Sequence, residues 1–355
     1  MLTPFCYTST TITIFIYMTQ LFKRAAAFTD IHWGLKSNSV QHNQDCSNFV
    51  DWFISTAKQE GCETCFFLGD WNHNRAAINI QTLHYGLNAL ERLSKAFDTV
   101  YFIPGNHDLF FRDKRDVHSV EWAKHLPNVV IVDDWFERDG VVIAPWLVGD
   151  DWRQLEHKSG KYLMGHFELP HFILNAMIEM PDHGELQVNH LAKFDRVFSG
   201  HFHKRQHKGN VSYIGNAFPH NFSDVGDDNR GMMVLEWDQE PVYHVWPDAP
   251  KYRVYNLSQM LDEPEQLLVP NSYVKVNLDI EVSYEESSFL RETLVPQYGL
   301  REMTLIPMKS DIETDGTDYA NTEFESVDAI IQKQIEELQE GAFDKKLLLD
   351  IYRNI

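Results

Sequence analysis

The sequence predicts an α/β fold, and three observations indicate it. Five short apolar runs each lead into a polar cluster, and segments with helical periodicity lie between several of these runs. The chain has 355 residues, of which 43% are hydrophobic and 13% aromatic, so it is too apolar for a disordered protein. Its length is sufficient for one large domain and a smaller one.

The apolar runs are predicted to be buried strands, because they are short and bounded by turn residues. In chain order they are residues 25–28, 65–68, 100–103, 161–164 and 196–199. An apolar spacing of three to four residues predicts helices around residues 49–57 and 83–93. In layered α/β domains, ligands bind where loops leave the carboxyl ends of strands. All five polar clusters are predicted to lie at such exits.

The pattern changes after about residue 250, which predicts a smaller second domain. Strict alternation over residues 274–282 predicts a half-buried strand, residues 287–295 a short helix that ends near Pro296, and residues 303–307 a further strand. A polar stretch and an amphipathic helical pattern follow. We therefore expect a main domain at residues 18–250, a β-α-β capping domain at 251–308, a linker at 309–322 and C-terminal helices at 323–355.

The N-terminal segment has two interpretations. Residues 10–18 are apolar but too few to span a membrane, and no basic residue precedes them as a signal peptide requires. We interpret residues 1–17 as an extension upstream of the true start at Met18. The alternative is a genuine extra β-strand at a sheet edge.

The charge and the cysteines restrict partners and location. With 31 Lys and Arg against 52 Asp and Glu, the net charge is 31 − 52 = −21, so long-range attraction to phosphate backbones or anionic membranes is weak. Binding of nucleic acid would require a local basic patch, a metal site or a basic partner. Cys62 and Cys65 form a C-x-x-C, which is typical of a redox pair or half a zinc site, but no second pair follows. We interpret both as structural thiols in a protein of the reducing cytoplasm.

The five polar clusters consist mainly of Asp, His and Asn, which are suitable ligands for Mn²⁺, iron or Zn²⁺. They are Thr29-Asp30-Ile31-His32, Gly69-Asp70-Trp71-Asn72-His73, Gly105-Asn106-His107-Asp108, Gly165-His166 and Gly200-His201-Phe202-His203. Each cluster alone is compatible with a turn or a satisfied core histidine. In this order, each at a strand exit, they predict a pair of metal ions, which activate water and stabilise the phosphoryl charge in phosphodiester hydrolysis.

The order D-x-H, G-D-x-x, G-N-H-D, G-H, G-H-x-H resembles the motifs of the calcineurin-like metallophosphoesterases between residues 30 and 203. The resemblance implies a four-layer α/β/β/α sandwich, followed here by the small α+β capping domain and the C-terminal helices. It also implies two divalent metal ions, for which we expect Mn²⁺, with Mg²⁺ or Fe²⁺ as alternatives.

The resemblance also implies a role for each residue of the motifs. One metal would be held by Asp30, His32, Asp70 and His203, and the other by Asp70, Asn106, His166 and His201, with Asp70 as the bridge. His107 would be the general acid that protonates the leaving oxygen. Asp108 would orient His107, as carboxylates commonly orient histidines.

His73 stands three places after Asp70, where protein phosphatases of the superfamily carry an aspartate. This histidine is similar to that of the SbcD-type DNA nucleases, in which it helps to position the scissile phosphate. The length from Met18 is also similar to that of T-even phage members of this branch. The resemblance implies an Mn-dependent DNA exo/endonuclease, the nuclease subunit of an SbcCD-type recombination and repair complex. Its partners would be DNA, an SbcC-type coiled-coil ATPase subunit docked on residues 323–355, and a second nuclease subunit in a homodimer.

Some residues depart from the family pattern or have a plainer interpretation. Lys23 and Arg24 interrupt the first strand, and Trp71-Asn72 replaces a more usual apolar pair. Two groups of cations follow the ligand motifs and would contact a phosphate backbone or simply lie in solvated loops: Arg112, Lys114 and Arg115, and Lys204, Arg205 and Lys208. We interpret residues 215–221, which include His220, as a structural turn, and His171 and His183 as surface histidines.

Two other functions remain open at this point. One is a phosphoesterase of another branch, which acts on phosphoproteins or small phosphodiesters. The other is a non-catalytic clamp that uses the fold as a scaffold, although the intact ligand set argues against it.

Overall fold

The computed structural model describes residues 20–175 and 178–307. The N-terminal extension 1–17, the linker 309–322 and the C-terminal helices 323–355 lie outside the described residues, so those predictions stay open. In the described part, two six-stranded sheets form the main body and a three-stranded sheet follows them. The α/β sandwich predicted from the sequence is therefore confirmed.

The first sheet contains three of the five predicted strands side by side. In spatial order its strands are Val242–Val245, Gly231–Glu236, Arg24–Phe28, Thr64–Phe67, Thr99–Phe102 and Val129–Ile131. The last four are parallel, and the register pairs Phe28 with Phe67 and Phe67 with Phe102. The chain consequently leaves these three strands at one edge of the sheet.

The second sheet contains the other two predicted strands at its centre. Its spatial order is Gln206–Lys208, Val211–Tyr213, Arg196–Gly200, Tyr162–His166, Val141–Ile143 and Phe136–Arg138. The two central strands are parallel, and His166 lies directly opposite Gly200. The register therefore places His166 beside the start of the Gly200-His201-Phe202-His203 loop.

Apolar side chains divide the main body into layers. Helices Val40–Gln59 and Ile80–Ala96 cover the outer face of the first sheet, and Phe66 and Phe198 pack between the two sheets. Beyond the second sheet, 3₁₀ segments supply the fourth layer, where Leu155 packs. The body also contains the short helix Leu35–Asn38 and the 3₁₀ segments Glu121–His125, Gly149–His157, Val188–Leu191 and Phe222–Asp224. Ile173–Asn175 pairs with Ile178–Glu179 as a small ribbon.

Both unusual features near the first two strands have a structural explanation. Arg24 begins its strand opposite Glu236 of the neighbouring strand and forms an ion pair with it at the rim of the sheet. Trp71 is almost fully buried, and its ring contacts those of Phe28 and Phe67. Neither residue disturbs the strand ends that carry the predicted ligands.

The third sheet, which has three strands and is called the smaller sheet below, is parallel throughout. Its strands are Lys251–Asn256, Ser272–Asn277 and Glu302–Ile306, and its helices are Leu257–Asp262, Pro264–Leu267 and Tyr284–Gln297. The strand predicted for residues 274–282 ends at Asn277, and the long helix continues one residue past Pro296. None of the helices in the described ranges combines the length and the hydropathy that a membrane span requires.

The smaller sheet contacts the main body close to the strand ends. Arg301 forms an ion pair with Asp45 of the helix Val40–Gln59. The hydroxyl of Tyr252 donates a hydrogen bond to the backbone carbonyl of His220 (2.7 Å). Because His220 lies beside the predicted ligands, this contact links the smaller sheet to the metal centre.

Candidate metal centre

The strand ends bring all seven predicted ligands together. They are Asp30 and His32 after the first strand, Asp70 after Thr64–Phe67, Asn106 after Thr99–Phe102, His166 at the end of its own strand, and His201 and His203 after Arg196–Gly200. Two triads of these residues, Asp30 with His32 and Asp70, and Asp70 with His166 and His201, have ligand atoms within 4.8 Å of one another. Asp70 belongs to both triads.

The backbone of the centre is strained where the ligands leave the strands. Asp30, His32, Asp70 and His201 have φ values of 50°, 51°, 61° and 90°, in the left-handed region that residues with a side chain rarely adopt. Such strain is typical of functional sites. Gly105 allows a close approach, because a Cβ atom there would lie 2.2 Å from Oδ1 of Asp70.

The carboxylate of Asp70 lies between two groups of histidines. Its Oδ2 atom is 3.7 Å from Nε2 of His32 on one side and 3.5 Å from Nε2 of His166 on the other. Its Oδ1 atom accepts a hydrogen bond from the backbone N–H of His107 (2.9 Å). A buried carboxylate with imidazole nitrogens on both sides is the arrangement that a bridging metal ligand requires.

The first group of ligands surrounds an oxygen without a hydrogen-bond donor. Oδ2 of Asp30 accepts from the hydroxyl of Thr29 and the backbone of His201, whereas the buried Oδ1 has no hydrogen-bond partner. That Oδ1 lies 4.0 Å from Nε2 of His32 and 3.9 Å from Nε2 of His203, and the two imidazole atoms are 3.2 Å apart. Since a buried polar atom left unpaired is costly, these three groups fit a shared cation.

In the second group, each histidine has one ring nitrogen fixed by a hydrogen bond and the other left for a ligand. Nδ1 of His166 donates to the backbone carbonyl of Leu68 (2.6 Å), so Nε2 is left for a ligand. Nε2 of His201 bonds Oε2 of Glu168 (3.0 Å), which leaves Nδ1. Both free nitrogens lie 3.1 Å from Oδ1 of Asn106. The residues thus present an oxygen and two nitrogens to one point.

Burial and the neighbouring charges shift the pKa values of three of the predicted ligands. Burial raises the pKa of Asp70, but the charge and hydrogen bond of His166 outweigh it and hold that pKa well below its usual range. Burial lowers the pKa of His166, whereas the charge of Asp70 more than compensates and raises it to about 9. Burial holds the pKa of His32 well below its ordinary value. Asp70 and His32 are therefore in the forms that bind a divalent cation, whereas a cation would have to displace the proton that Asp70 holds on His166.

His73 and His107 face the same centre and contact each other. Their rings stack with centroids 5.4 Å apart, and the ring of His107 stands at 89° to that of His32 at 4.9 Å. Nδ1 of His107 lies 2.8 Å from the backbone carbonyl of His73. Burial lowers the pKa of His73, and the nearby His107 adds to that effect.

The expectation that Asp108 orients the ring of His107 is wrong. The fully buried Asp108 carboxylate accepts hydrogen bonds from the backbone N–H groups of Trp71, Asn72 and Gly105 at 2.8–3.0 Å. The carbonyl of His73 holds the imidazole instead. The role of Asp108 is to connect the loop after Asp70 to the loop that carries Asn106.

Two residues beside the centre were missed from the sequence. Glu168 bonds His201, and nothing in a single acidic residue after Gly165-His166 indicates that contact. His220 was interpreted as part of a turn, but it is 1% exposed and neither ring nitrogen has a hydrogen-bond partner. Its ligand atoms lie within 4.8 Å of those of His32 and His203. The available signal for His220 was a polar turn after the last ligand motif, but the burial of its side chain could not be predicted from the sequence.

Three of the six cations proposed for backbone contact have structural partners. Arg115 bonds the carbonyls of Asp133 and Trp146 and forms an ion pair with Asp151. Arg205 donates to the carbonyl of Ile214 and the side chain of Asn229, and Lys208 donates to the carbonyl of His171. Within the described ranges, Arg112, Lys114 and Lys204 form no ion pair. His171 and His183 are exposed, as expected.

The C-x-x-C residues are buried free thiols. Cys62 is 5% exposed and Cys65 is fully buried, and neither forms a disulfide. Burial raises the pKa of the Cys62 thiol to about 12. The prediction that they are structural thiols is confirmed, since a reactive or metal-binding cysteine requires a lowered pKa.

Comparison with known proteins points to the same family. Residues 23–205 match the family model described as calcineurin-like phosphoesterase. The chain is 29% identical over 220 residues to Exonuclease subunit 1 of Enterobacteria phage T4, a match that covers 59% of this chain and 64% of that protein. The chain therefore spans slightly less than two thirds of that relative's length.

Three solved structures also match, with low identity. Nuclease MPE of Pseudomonas putida is 18% identical with a TM-score of 0.28, over 53% of this chain and 66% of that chain. A protein of Thermus thermophilus is 14% identical with a TM-score of 0.39, over 62% and 99%. A dimetal phosphatase from Danio rerio is 12% identical with a TM-score of 0.38, over 63% and 98%.

The family match covers more than half of the chain and includes all seven predicted ligands, from Asp30 to His203. Members of this family are hydrolases that use divalent metal ions. The clustering of the predicted ligands at the strand ends, the position of Asp70 between His32 and His166, and the family match lead to one conclusion: the chain belongs to the calcineurin-like phosphoesterase family.

Proposed function

We propose that the protein is a dinuclear-metal DNA nuclease that hydrolyses phosphodiester bonds. The observation that carries the proposal is the buried Asp70 carboxylate, which lies 3.7 Å from a nitrogen of His32 and 3.5 Å from a nitrogen of His166. The name of the phage T4 relative, an exonuclease subunit, supports DNA as the substrate. His73 supports it too, since a histidine at this place resembles the DNA nuclease branch.

Each side of Asp70 would hold one divalent ion, for which we propose Mn²⁺. Asp30, His32 and His203 would complete the first site, with His220 next to it. Asn106, His166 and His201 would complete the second. When bound, such an ion pair supplies an activated water and neutralises the phosphoryl oxygens.

The chain's own residues would handle the substrate and the proton. His107 would donate a proton from Nε2 to the leaving oxygen, because its Nδ1 is already bonded to the carbonyl of His73. His73, stacked on His107, would contact the scissile phosphate. Asp108 would hold both loops in place through backbone N–H groups. The side chain of His203 is 35% exposed, so a substrate would approach the centre past this residue.

A purified full-length chain, stripped of metal and then supplied with Mn²⁺ or Mg²⁺, tests this function. The substrates are single- and double-stranded DNA, bis(p-nitrophenyl) phosphate and a phosphopeptide, and Asp70→Ala is the inactive control. We expect metal-dependent cleavage of DNA and no phosphate release from the peptide. Dephosphorylation of the peptide with intact DNA would assign the protein to another branch. Failure to hydrolyse any substrate would favour a scaffold.

We further propose that the protein is the nuclease subunit of a complex with an SbcC-type ATPase and forms a homodimer. The relative's description as a subunit supports a multi-subunit enzyme. Deletion of residues 323–355 should abolish co-purification with the ATPase while Mn²⁺-dependent cleavage of short DNA continues. Retained co-purification would exclude that segment as the docking site.

A further inference from the structure

An exposed aromatic pair lies next to the metal centre. Phe110 and Phe111 are 49% and 38% exposed, and their rings pack against each other at 88° with centroids 4.9 Å apart. They belong to residues 109–118, which we call the aromatic loop. Leaving two neighbouring phenylalanines partly in water forgoes part of the free energy that their burial would supply. A pair of exposed rings beside a functional site therefore indicates a ligand that covers them.

Backbone contacts hold the base of the aromatic loop in place. Leu109 pairs with His118 across the base, and the N–H of Phe110 donates to the carbonyl of Val117 (3.0 Å). The N–H of Ser119 donates to the carbonyl of Asp108 (2.8 Å), so the base is continuous with the residue that orders the ligand loops. The loop is therefore positioned rather than free to collapse onto the core.

A second anchor ties the aromatic loop to the other sheet. The guanidinium of Arg115 donates to the carbonyl of Trp146 (3.0 Å) and pairs with Asp151. The ring of Trp146 contacts those of His166 and His201, with centroids 5.5 and 5.3 Å away. Phe110 and Phe111 thus lie on a loop that is connected to both halves of the metal centre.

Cations without ion-pair partners accompany the aromatic pair. Nζ of Lys114 lies 5.4 Å from the ring centroid of Phe111. Burial, and then the positive charge of Arg112, lower the pKa of Arg75, while the charge of Asp70 acts in the opposite sense. Arg112 directly follows Phe111 in the aromatic loop. In the part of the chain that the structure describes, no carboxylate forms an ion pair with these three cations, although the net charge is −21.

Flat apolar faces beside unpaired cations match a nucleotide, with its base against the rings and its phosphates against the cations. We propose that Phe110 and Phe111 hold an unpaired base of the DNA strand that is cut, while Arg112 and Lys114 bind the flanking phosphates. Because the two rings are nearly perpendicular, one would stack on the face of the base and the other would contact its edge. A base in an intact duplex is stacked on its neighbours and paired, so it cannot reach the rings. The enzyme consequently acts on single-stranded or frayed DNA ends. This inference rests on the proposed nuclease function.

The test compares the wild-type chain with a Phe110→Ala/Phe111→Ala variant on two single-stranded oligonucleotides. One is normal, and the other carries abasic residues next to the cleaved bond, so that the phosphates remain but the bases are absent. We expect the variant to lose roughly 5- to 150-fold in kcat/KM on the normal strand, the effect of about 1–3 kcal/mol per stacked base. On the abasic strand, variant and wild type should differ by less than about twofold. Phe110→Tyr/Phe111→Tyr should restore cleavage of the normal strand.

Phe289→Ala is the matched control, since Phe289 is 67% exposed on the helix Tyr284–Gln297 of the smaller sheet. It should leave both substrates unaffected. If wild type cleaves DNA but the alanine variant cleaves the normal strand equally well, the aromatic loop has no such role and the nuclease function stands. An equal loss on both strands would also overturn base stacking. If wild type hydrolyses bis(p-nitrophenyl) phosphate but never DNA, the proposed function itself fails and this inference fails with it.

Discussion

The Nδ1 atom of His107 lies 2.8 Å from the backbone carbonyl oxygen of His73. A carbonyl only accepts hydrogen bonds, so Nδ1 carries a proton. Nε2 is the atom free to face the metal centre, and it carries the second proton when His107 acts as the acid. The contact also explains why the two rings stack: the histidine three places after Asp70 holds the one that follows Asn106.

Replacement of His107 by alanine should separate catalysis from metal binding. His107→Ala removes the proposed proton donor, whose backbone N–H alone contacts Asp70. We expect DNA hydrolysis to fall roughly 10²–10⁴-fold, the usual contribution of a positioned acid, with the metal content per chain unchanged. His84→Ala, an exposed histidine on the helix Ile80–Ala96, serves as the control. Unchanged turnover in His107→Ala would remove its assigned role.

Replacement of Asp108 should act through stability. The Asp108→Asn variant substitutes an N–H₂ group for one acceptor oxygen, so at least one of the buried backbone N–H groups of Trp71, Asn72 and Gly105 loses its partner. A buried donor without an acceptor costs about 1–3 kcal/mol, and we expect the free energy of unfolding to fall by roughly 2–4 kcal/mol in urea titrations. Asp262→Asn, at an exposed carboxylate, should change it little. Equal stability of the two variants would refute the loop-ordering role.

Replacement of His220 should weaken metal binding and leave the apo protein at least as stable. His220→Phe keeps an aromatic ring in the buried site but removes two nitrogens that have no hydrogen-bond partner. Calorimetric titration of the metal-free chain with Mn²⁺ should show roughly 10- to 100-fold weaker binding at one of two sites. A variant that binds both ions with wild-type affinity would show that His220 only fills space.

Arg112 should contribute to DNA binding, and the nearby Arg115 to the stability of the fold. Arg112→Ala should weaken DNA binding and reduce the slope of log K against log salt by about 0.7–0.9, because one phosphate contact is lost. Arg115→Ala should lower the melting temperature instead, since Arg115 bonds Trp146 and Asp151 rather than solvent. Binding measured by fluorescence anisotropy at low and at raised salt, alongside thermal unfolding, distinguishes them. The same salt slope in both variants would contradict this division.

The ligand set could be predicted from the sequence because it depends on local patterns. Short apolar runs end where the strands end, and parallel neighbours bring those ends to one edge, so Asp30, Asp70 and Asn106 could be placed together before any coordinates were known. The helices around Phe49 and Leu90 could be predicted for the same reason, since their periodicity is local.

The residue roles and the strand end that were not predicted correctly depend on contacts between residues distant in the sequence. Asp108 was assigned to its neighbour His107, but its oxygens accept hydrogen bonds from the backbone of Gly105 and of Trp71 and Asn72, the last two more than 30 residues away. Arg115 was counted among the DNA-binding cations, whereas its guanidinium donates to the carbonyl of Trp146 and pairs with the carboxylate of Asp151. The alternation of residues 278–282 continues beyond the strand because Leu278 and Val282 pack against the small core although the strand ends at Asn277.

The central claim is that two divalent cations lie on either side of Asp70. Diffraction from crystals grown with Mn²⁺, recorded at the manganese absorption edge, tests it most directly. We predict two anomalous peaks about 3.5–4 Å apart, one next to Asp30, His32 and His203 and the other next to Asn106, His166 and His201. The absence of peaks at these side chains, or a single ion that does not contact Asp70, would contradict the account.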